Sequence, residues 1–278
     1  MTLVDIHCHI LPGIDDGSKD WETSIKLARD AVKDGITHAV CTPHTLNGKY
    51  INHKKDVIRL TENFQDMLDE AKIPLTVFPG QEVRISGDLP DALDNDDILF
   101  LDEEGQYMLL EFPSDDVPTY AKDMIFSIQQ RGITPIVVHP ERNSRILKEP
   151  HILQELIEQG CLVQITASSY MGTFGKKIEE MSRKFIEAGQ CACFASDAHD
   201  LPKRQYQYSE ALKNLSIEDE EALLKEETIT IDFDGERLDI TPNMVDVRIE
   251  AKDGFNVGME NNKFIILIMR KITLFSRK

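Results

Sequence analysis

The chain has 278 residues, enough for one barrel domain or two small domains, and its 41% of hydrophobic residues can form a full core. The formal net charge of -18 argues against a nucleic-acid-binding surface and against a polyanionic substrate held by long-range attraction. The first residues form an apolar strand instead of a signal peptide, and the apolar run at 264–269 is too short to span a bilayer. These features predict a cytoplasmic protein with no membrane span and no nucleic-acid partner.

The first predicted element is a strand near residues 3–9, and it carries the motif His-x-His. Residues i and i+2 of a strand share a face, so His7 and His9 can meet one metal ion while Cys8 points into the packing. A helix follows from about Trp21 to Asp34, where apolar residues recur at helical spacing and a glycine comes directly afterwards.

A unit in which a helix stops at glycine and an apolar strand follows then recurs along the chain. Helices that alternate with short, nearly continuous apolar strands predict a parallel sheet with helices on both faces. About seven such strands favour a closed or nearly closed α/β barrel over an open sheet. The predicted strands lie near residues 3–9, 36–42, 75–79, 107–111, 134–138, 161–166 and 191–195.

Polar residues that could bind metal ions follow these strands, each where an apolar run ends. Taken singly, a His or Glu at a strand end is more often a solvated or capping residue than a ligand. Nine at equivalent ends of parallel strands instead predict a metal cluster at the barrel mouth that activates water. Asp15 stays ambiguous, because either it or Asp16 can cap the following helix while the other faces the metals. The nine candidates are His7, His9, Asp16, His44, Glu82, Glu111, His139, Asp197 and His199.

Two arginines lie shortly after candidate ligands and are themselves candidates for binding phosphate. Arg142 follows His139 by three positions, and Arg204 follows His199 by five. A guanidinium near a metal cluster can grip phosphate with its planar fork, although a surface salt bridge is an equally good interpretation of Arg204 alone.

Motifs for other phosphate chemistry do not occur in the sequence. None of the five cysteines has an arginine six positions later, and there is no Gly-x-Ser-x-Gly or Gly-Lys-Ser/Thr motif. The chemistry is therefore assigned to metal ions and water. The cysteines are expected to be buried, reduced thiols.

The sequence pattern changes after Asp200. One more helix is predicted at about 206–214, and an acidic stretch and three alternating segments typical of solvated antiparallel strands follow it. We therefore expect a barrel domain over residues 1–215 and an atypical, β-rich segment over residues 216–278.

Six segments of the chain occur together in one known superfamily. They are MTLVDIHCHILPGIDDGSKDWE, THAVCTPHTLNGKY, VFPGQEVRI, MLLEFPS, GITPIVVHPERN and CACFASDAHD. They resemble the polymerase-and-histidinol-phosphatase (PHP) superfamily, and within it the manganese-dependent bacterial protein-tyrosine phosphatases of capsule and exopolysaccharide operons, over roughly residues 3–213. Residues from about 216 to 267 instead resemble a stretch near the C-terminus of bacterial isoleucyl-tRNA synthetases, without a catalytic motif of those enzymes.

The resemblance implies a distorted (β/α)7 PHP barrel with a metal cluster at the C-terminal mouth of its strands. It implies three divalent metal ions, with manganese first and zinc, iron or cobalt as alternatives. Arg142 and Arg204 match the family's phosphate-binding arginines. The implied ligand sets are His7, His9, Glu82 and Asp197 for the first ion, Glu82, Glu111 and His139 for the second, and Asp16, His44 and His199 for the third.

The residues and the resemblance together predict a metal-dependent phosphotyrosine phosphatase, in which a hydroxide that bridges two metals attacks phosphorus in line. The implied substrate is the phosphorylated, tyrosine-rich tail of a bacterial tyrosine kinase that regulates capsule or exopolysaccharide synthesis. Two alternatives stay open: a phosphomonoesterase for a small molecule such as histidinol phosphate, and a non-catalytic regulator that binds the phosphorylated tail. The oligomeric state also stays open.

Overall fold

Short parallel strands alternate with helices over the first 215 residues. The computed structural model describes residues 3–200, 202, 204–215, 229–233, 236–240 and 248–250. The strands of the first part are β1 Leu3–Cys8, β2 Ile36–Cys41, β3 His44–Thr45, β4 Thr76–Pro79, β5 Glu82–Arg84, β6 Tyr107–Glu111, β7 Thr134–Val138, β8 Leu162–Thr166 and β9 Cys193–Ala195. The helices are α1 Trp21–Lys33, α2 Lys54–Glu70, α3 Leu89–Asp94, α4 Ala121–Gln129, α5 Ser144–Lys148, α6 His151–Glu158, α7 Ala167–Tyr170, α8 Lys176–Glu187 and α9 Tyr208–Asn214.

These strands form two parallel sheets, and the chain passes between the sheets at two broken strands. One sheet has the order β1-β2-β4, and the other has the order β3-β5-β6-β7-β8-β9. β3 follows β2 after Thr42 and Pro43, and β5 follows β4 after Gly80 and Gln81. Each of these two pairs extends one predicted strand, so the predicted strand positions are confirmed while two of the strands are interrupted.

Gly80 allows one of these interruptions. Its backbone N–H donates to the carbonyl of Cys41 at 2.9 Å, which brings the two chain segments close together. A Cβ atom at Gly80 would lie 2.6 Å from Cγ1 of Val40 and 3.1 Å from Cγ2 of Thr42. Only glycine fits this approach without displacing a neighbour.

The end of β1 meets the chain that follows β9. The backbone N–H of His9 donates to the carbonyl of Ala198 at 2.9 Å, and the N–H of Asp197 donates to the carbonyl of His7 at 2.8 Å. These bonds join the first and last strands of the barrel at their C-terminal ends. The predicted α/β barrel is confirmed, and it closes where the polar strand ends lie.

Helix α1 has a different N-cap from the two predicted candidates. The side chain of Asp20 accepts a hydrogen bond from the backbone N–H of Thr23. The prediction that Asp15 or Asp16 caps this helix is therefore wrong, because both lie in the preceding loop with their carboxylates beside histidines. Gly35, with a φ of 94°, follows the helix as predicted.

All five cysteines are buried and free, as predicted. Burial raises the pKa of Cys161 to about 12 and the pKa of Cys193 to about 12. A thiol whose pKa lies this far above neutrality carries little thiolate, so these two residues are poor nucleophiles.

Three strands are described beyond the barrel: β10 Ile229–Phe233, β11 Glu236–Ile240 and β12 Arg248–Glu250. They pair antiparallel in chain order, as predicted for the three alternating segments. The acidic stretch at 217–227, the apolar run at 264–269 and most of the synthetase-like stretch lie outside the described residues. No helix within the described ranges is long and apolar enough to cross a membrane.

Candidate metal centre

Four side chains, from β1, the residue directly after it, β5 and the chain after β9, bring donor atoms close together. Nε2 of His7 and Nε2 of His9 lie 3.2 Å apart. Oε2 of Glu82 lies 3.3 Å from the first of these nitrogens and 3.2 Å from the second. Oδ1 of Asp197 lies 3.4 Å and 3.3 Å from the same two nitrogens. All four side chains are buried.

The spacing of these four atoms fits a bound cation. Each carboxylate oxygen lies 3.2–3.4 Å from both imidazole nitrogens, which is close enough for these donor atoms to share an ion at the distance of about 2.0–2.2 Å typical of nitrogen and oxygen ligands. Oε2 of Glu82 and Oδ1 of Asp197 are buried without a hydrogen-bond partner among the described residues. Because an unpaired buried carboxylate oxygen is costly, both observations fit a divalent metal between these residues.

A second group of candidates gathers around Asp16. Its Oδ1 lies 3.3 Å from Nε2 of His44 and 3.7 Å from Nε2 of His199. The imidazole of His9 is next to them, with its centroid 3.7 Å from that of His199. The three residues implied for a third ion are thus brought together, with one ligand of the first group beside them.

Glu82 lies at the centre of the residues implied for the second ion. Its Oε1 lies 2.7 Å from Nε2 of His139. Oε2 of Glu111 lies 3.5 Å from Nδ1 of His44 and 2.8 Å from Nε of Arg84. Glu82 therefore belongs to two groups of possible ligands. One contains His7 and His139, and the other contains His44 and Glu111.

Two candidate ligands have left-handed backbones. His139, directly after β7, has a φ of 38°, and Asp197, two residues after β9, has a φ of 50°. Non-glycine residues rarely adopt this conformation, which costs of order 1–3 kcal/mol and concentrates at functional sites. At both strand ends the chain turns sharply, and the side chain after the turn lies within the cluster.

Two residues that the sequence analysis did not assign hold His7 of β1 and His9, which directly follows it. Nδ1 of His7 is 2.9 Å from Oε1 of Gln164, and Nδ1 of His9 is 2.7 Å from Oδ2 of Asp15. An acceptor at Nδ1 takes the ring proton and leaves Nε2 free to bind a metal. The available signals were the ambiguity at Asp15 and one polar residue, Gln164, within the apolar strand CLVQIT.

The two candidate phosphate-binding arginines share one carboxylate oxygen. Nη2 of Arg142 and Nη2 of Arg204 both donate to Oδ2 of Asp197, the latter at 2.7 Å. This is not a surface ion pair, because the Asp197 side chain is 1% exposed. The Nε groups of both arginines are buried and lack a hydrogen-bond partner in the described part of the chain. Each guanidinium group therefore has one N–H donor that no described protein acceptor uses.

The charge states of Glu82, Asp197 and His139 suit metal binding. Burial alone would raise the pKa of Glu82, but neighbouring imidazoles, His44 foremost, hold that pKa well below its usual value. Burial would also raise the pKa of Asp197, and the Arg142 guanidinium in particular keeps it well below the usual range. Burial and the same guanidinium lower the pKa of His139. These ionised carboxylates and this neutral imidazole are in the forms that coordinate metals.

Two other imidazoles of the cluster are more basic. Against the effect of burial, Asp15 raises the pKa of His9 to about 10, and Glu82 raises the pKa of His44. These two imidazoles would therefore release a proton when a metal binds.

A cavity of about 380 Å³ borders the cluster. The candidates in its wall are Asp16, His44, Glu111, His139, Arg142 and Arg204. The wall also contains Asn47, Lys49, Tyr50 and Arg84, which sequence reasoning did not single out. Three of these four follow β3 in a loop whose shape the sequence pattern does not specify.

Comparison with known proteins identifies the family. The family model described as "Capsular polysaccharide synthesis, CpsB/CapC" matches residues 3–231. The chain belongs to the CpsB/CapC family. Tyrosine-protein phosphatase YwqE of Bacillus subtilis (strain 168) is 41% identical over 216 residues, which are 78% of this chain and 85% of the relative. Tyrosine-protein phosphatase CpsB of Streptococcus pneumoniae is 28% identical over 210 residues, covering 73% of this chain and 85% of the relative.

Solved structures place this CpsB/CapC chain in the same fold. One, from work on YwqE of Bacillus subtilis and CpsB of Streptococcus pneumoniae as unique metal-dependent tyrosine phosphatases, matches with a TM-score of 0.74 at 40% identity and covers 79% of this chain and 91% of the other. The phosphotriesterase homology protein of Escherichia coli, complexed with phosphate in its active site, matches with a TM-score of 0.50 at 10% identity, over 80% of this chain and 94% of the other. The second likeness shows the barrel fold alone.

Proposed function

We propose that this member of the CpsB/CapC family is a metal-dependent protein-tyrosine phosphatase that acts in capsule or exopolysaccharide synthesis. The observation that carries the proposal is the convergence of nine candidate ligands, and of two arginines with unpaired Nε groups, beside one cleft. The names of the relatives YwqE and CpsB, both tyrosine-protein phosphatases, support the same activity.

The proposed cofactor is a cluster of three divalent ions, with manganese first and zinc, iron or cobalt as alternatives. Such ions, when bound, neutralise phosphate oxygens and lower the pKa of water so that it can attack phosphorus. Glu82 would serve two ions, since its oxygens face different neighbours. The proposed ligands are His7, His9, Glu82 and Asp197 for the first ion, Glu82, Glu111 and His139 for the second, and Asp16, His44 and His199 for the third.

Asp197 orients both arginines, because its Oδ2 accepts hydrogen bonds from both guanidinium groups. Both arginines, Arg142 and Arg204, line the cleft, where their guanidinium groups would donate to phosphate oxygens. Donors fixed in this way hold the phosphate for in-line displacement and stabilise the charge that redistributes over its oxygens.

The leaving group of a phosphotyrosine departs with little catalytic assistance from the protein. Tyrosine has a pKa of about 10, so its phenolate departs more readily than the alkoxide of a phosphoserine. Strong general acid catalysis by a side chain is therefore not required.

We infer further that the substrate is the phosphorylated tail of a bacterial tyrosine kinase and that the reaction takes place in the cytoplasm. The family's description, capsular polysaccharide synthesis, supports this context. We also propose that residues 1–215 form the phosphatase domain, because every candidate residue lies at or before Arg204.

Hydrolysis of phosphotyrosine peptides and of histidinol phosphate, each with and without added manganese, tests the proposal. We expect manganese-dependent release of phosphate from the peptides and much slower release from histidinol phosphate. A preference for histidinol phosphate would favour a small-molecule phosphatase. Peptide binding without turnover in any metal would favour a non-catalytic regulator.

A further inference from the structure

The cleft beside the metal-ligand cluster has two kinds of wall. Asp16, His44 and the two candidate phosphate-binding arginines supply charge, whereas Tyr50 and Phe112 supply aromatic surface. A phosphomonoester consists of a charged phosphate and an organic group. A molecule that places its phosphate at the charged wall must therefore place its organic group along the rest of the cleft.

The turn that carries Tyr50 is anchored on both sides. Oδ1 of Asn47 accepts from the backbone N–H of Lys49 at 3.0 Å and from that of Tyr50 at 2.7 Å. Nδ2 of Asn52 donates to the carbonyl of His44 at 2.7 Å. Because side chains on both sides of Tyr50 fix the turn relative to His44, the tyrosine is positioned before any ligand arrives, which lowers the entropic cost of binding.

The ring of Tyr50 lies beside a candidate metal ligand. Its plane is within 7° of the imidazole of His44, and the two centroids are 6.3 Å apart. The ammonium of Lys49 lies 4.5 Å from the centroid of the tyrosine ring, an attractive cation–π contact that helps to hold the ring in place. The residue is half-buried, so part of it is open to the cleft.

Other aromatic residues near the cleft are less available. Phe112 is only 5% exposed. Phe174 packs against the Arg142 guanidinium, whose Cζ lies 4.9 Å from the centroid of its ring. Tyr50 differs from Phe112 because it is half-buried instead of fully buried. It differs from Phe174 because it lines the cleft and its ring is not covered by the Arg142 guanidinium.

We propose that Tyr50 forms an aryl-binding subsite, where it contacts the phenyl ring of a phosphotyrosine whose phosphate lies at the charged wall. The inference rests on the proposed phosphatase function and adds a residue that determines specificity for aryl over alkyl phosphates. Offset or edge-to-face contacts between aromatic rings favour a phenyl group over an alkyl group at such a position.

Calorimetric titration of the manganese-loaded, full-length protein with phenylphosphonate, methylphosphonate and inorganic phosphate tests this subsite without relying on turnover. We expect the wild type to bind phenylphosphonate more tightly than methylphosphonate. Tyr50→Ala should reduce that preference roughly 2- to 13-fold, which is the range of an aromatic pair contact. Its affinity for inorganic phosphate should not change, and Tyr50→Phe, which retains the ring, should keep the preference.

Tyr120→Ala provides the matched control, since Tyr120 is 43% exposed and lies outside the cleft wall. We expect it to bind all three ligands as the wild type does. A wild type without a preference for phenylphosphonate, or an equal loss for all three ligands in Tyr50→Ala, would overturn the aryl subsite. Failure of the wild type to hydrolyse phosphotyrosine peptides would instead overturn the proposed function, whatever the titrations show.

Discussion

At the residue scale, Asp197 connects the metal side of the site to its phosphate side. Oδ1 faces Nε2 of His7 and of His9, whereas Oδ2 accepts hydrogen bonds from both arginines. The same carboxylate can thus bind a metal and orient the groups that grip the phosphate. Its backbone is left-handed, an otherwise unfavourable conformation that is typical of functional sites.

The arginines can be tested separately from the metals. Arg142→Ala and Arg204→Ala should each lower kcat/KM on phosphotyrosine peptides by about 10- to 150-fold, the value of a charge-assisted hydrogen bond, while metal content stays at the wild-type level. Arg142→Lys should recover only part of the loss, because an ammonium cannot donate two parallel hydrogen bonds to a phosphate as a planar guanidinium does. Steady-state kinetics and metal analysis check this. Wild-type efficiency in both alanine variants would reduce these residues to a structural ion pair.

Asp15 offers a test of how the histidines are held. Asp15→Ala should weaken metal binding by about 10- to 100-fold, because the hydrogen bond that orients His9 is lost. Asp20→Ala is the matched control: it removes the cap of α1, costs about 1 kcal/mol of stability and should leave metal affinity unchanged. Calorimetric titration of the metal-free proteins with manganese measures both, and equal affinities in the two variants would exclude the positioning role.

The sequence predicts candidate ligands better than it predicts their supports. The nine candidates are recognisable because each stands where an apolar run of the sequence ends, and parallel strands end on one side of a barrel. The partner of His7 is Gln164, which lies 157 positions later, and no local pattern connects them. The position of Glu111 beside Arg84 likewise depends on the register between β5 and β6.

At the element scale, the two interrupted strands are the main departure from a regular barrel. β2 and β4 pair in one sheet, while their continuations β3 and β5 pair in the other. The apolar runs were enough to locate these strands. The interruptions were not predicted, although Pro43 and Gly80 mark them, since proline cannot donate to a strand ladder and glycine permits close approach of backbones.

Gly80 gives this interruption a measurable energetic signature. Gly80→Ala should lower the free energy of unfolding by about 1–3 kcal/mol, because the new methyl group would overlap Val40. Gly87→Ala is the control: no atom lies within 4 Å of its added Cβ, so stability should stay equal or rise by up to about 1 kcal/mol. Urea unfolding of both variants measures their free energies of unfolding. Similar values would show that a side chain fits at the interruption.

At the scale of the whole molecule, the net charge is negative, whereas basic residues outnumber acidic ones in the cleft wall. The chain carries a formal net charge of -18, yet the cleft wall contains Lys49, Arg84, Arg142 and Arg204. Long-range attraction therefore does not bring a phosphorylated substrate to this protein, and recognition is local to the cleft.

The segment after the barrel provides a test at this scale. A chain truncated after Leu215 should keep its metal content and its turnover of phosphotyrosine peptides, because every candidate residue precedes that point. Metal analysis and kinetics of the truncated and full-length proteins make the comparison. A truncated protein that binds the same metals but no longer turns over would show that the later residues contribute to the site.

The most direct test of the account compares chelation with thiol alkylation of the full-length protein during hydrolysis of a phosphotyrosine peptide. Removal of metal ions by a chelator should abolish activity, and manganese should restore it, because the proposed chemistry depends on ions bound by histidines and carboxylates. Alkylation should leave activity largely intact, since all five cysteines are buried. Activity that survives chelation but is lost on alkylation would contradict the account.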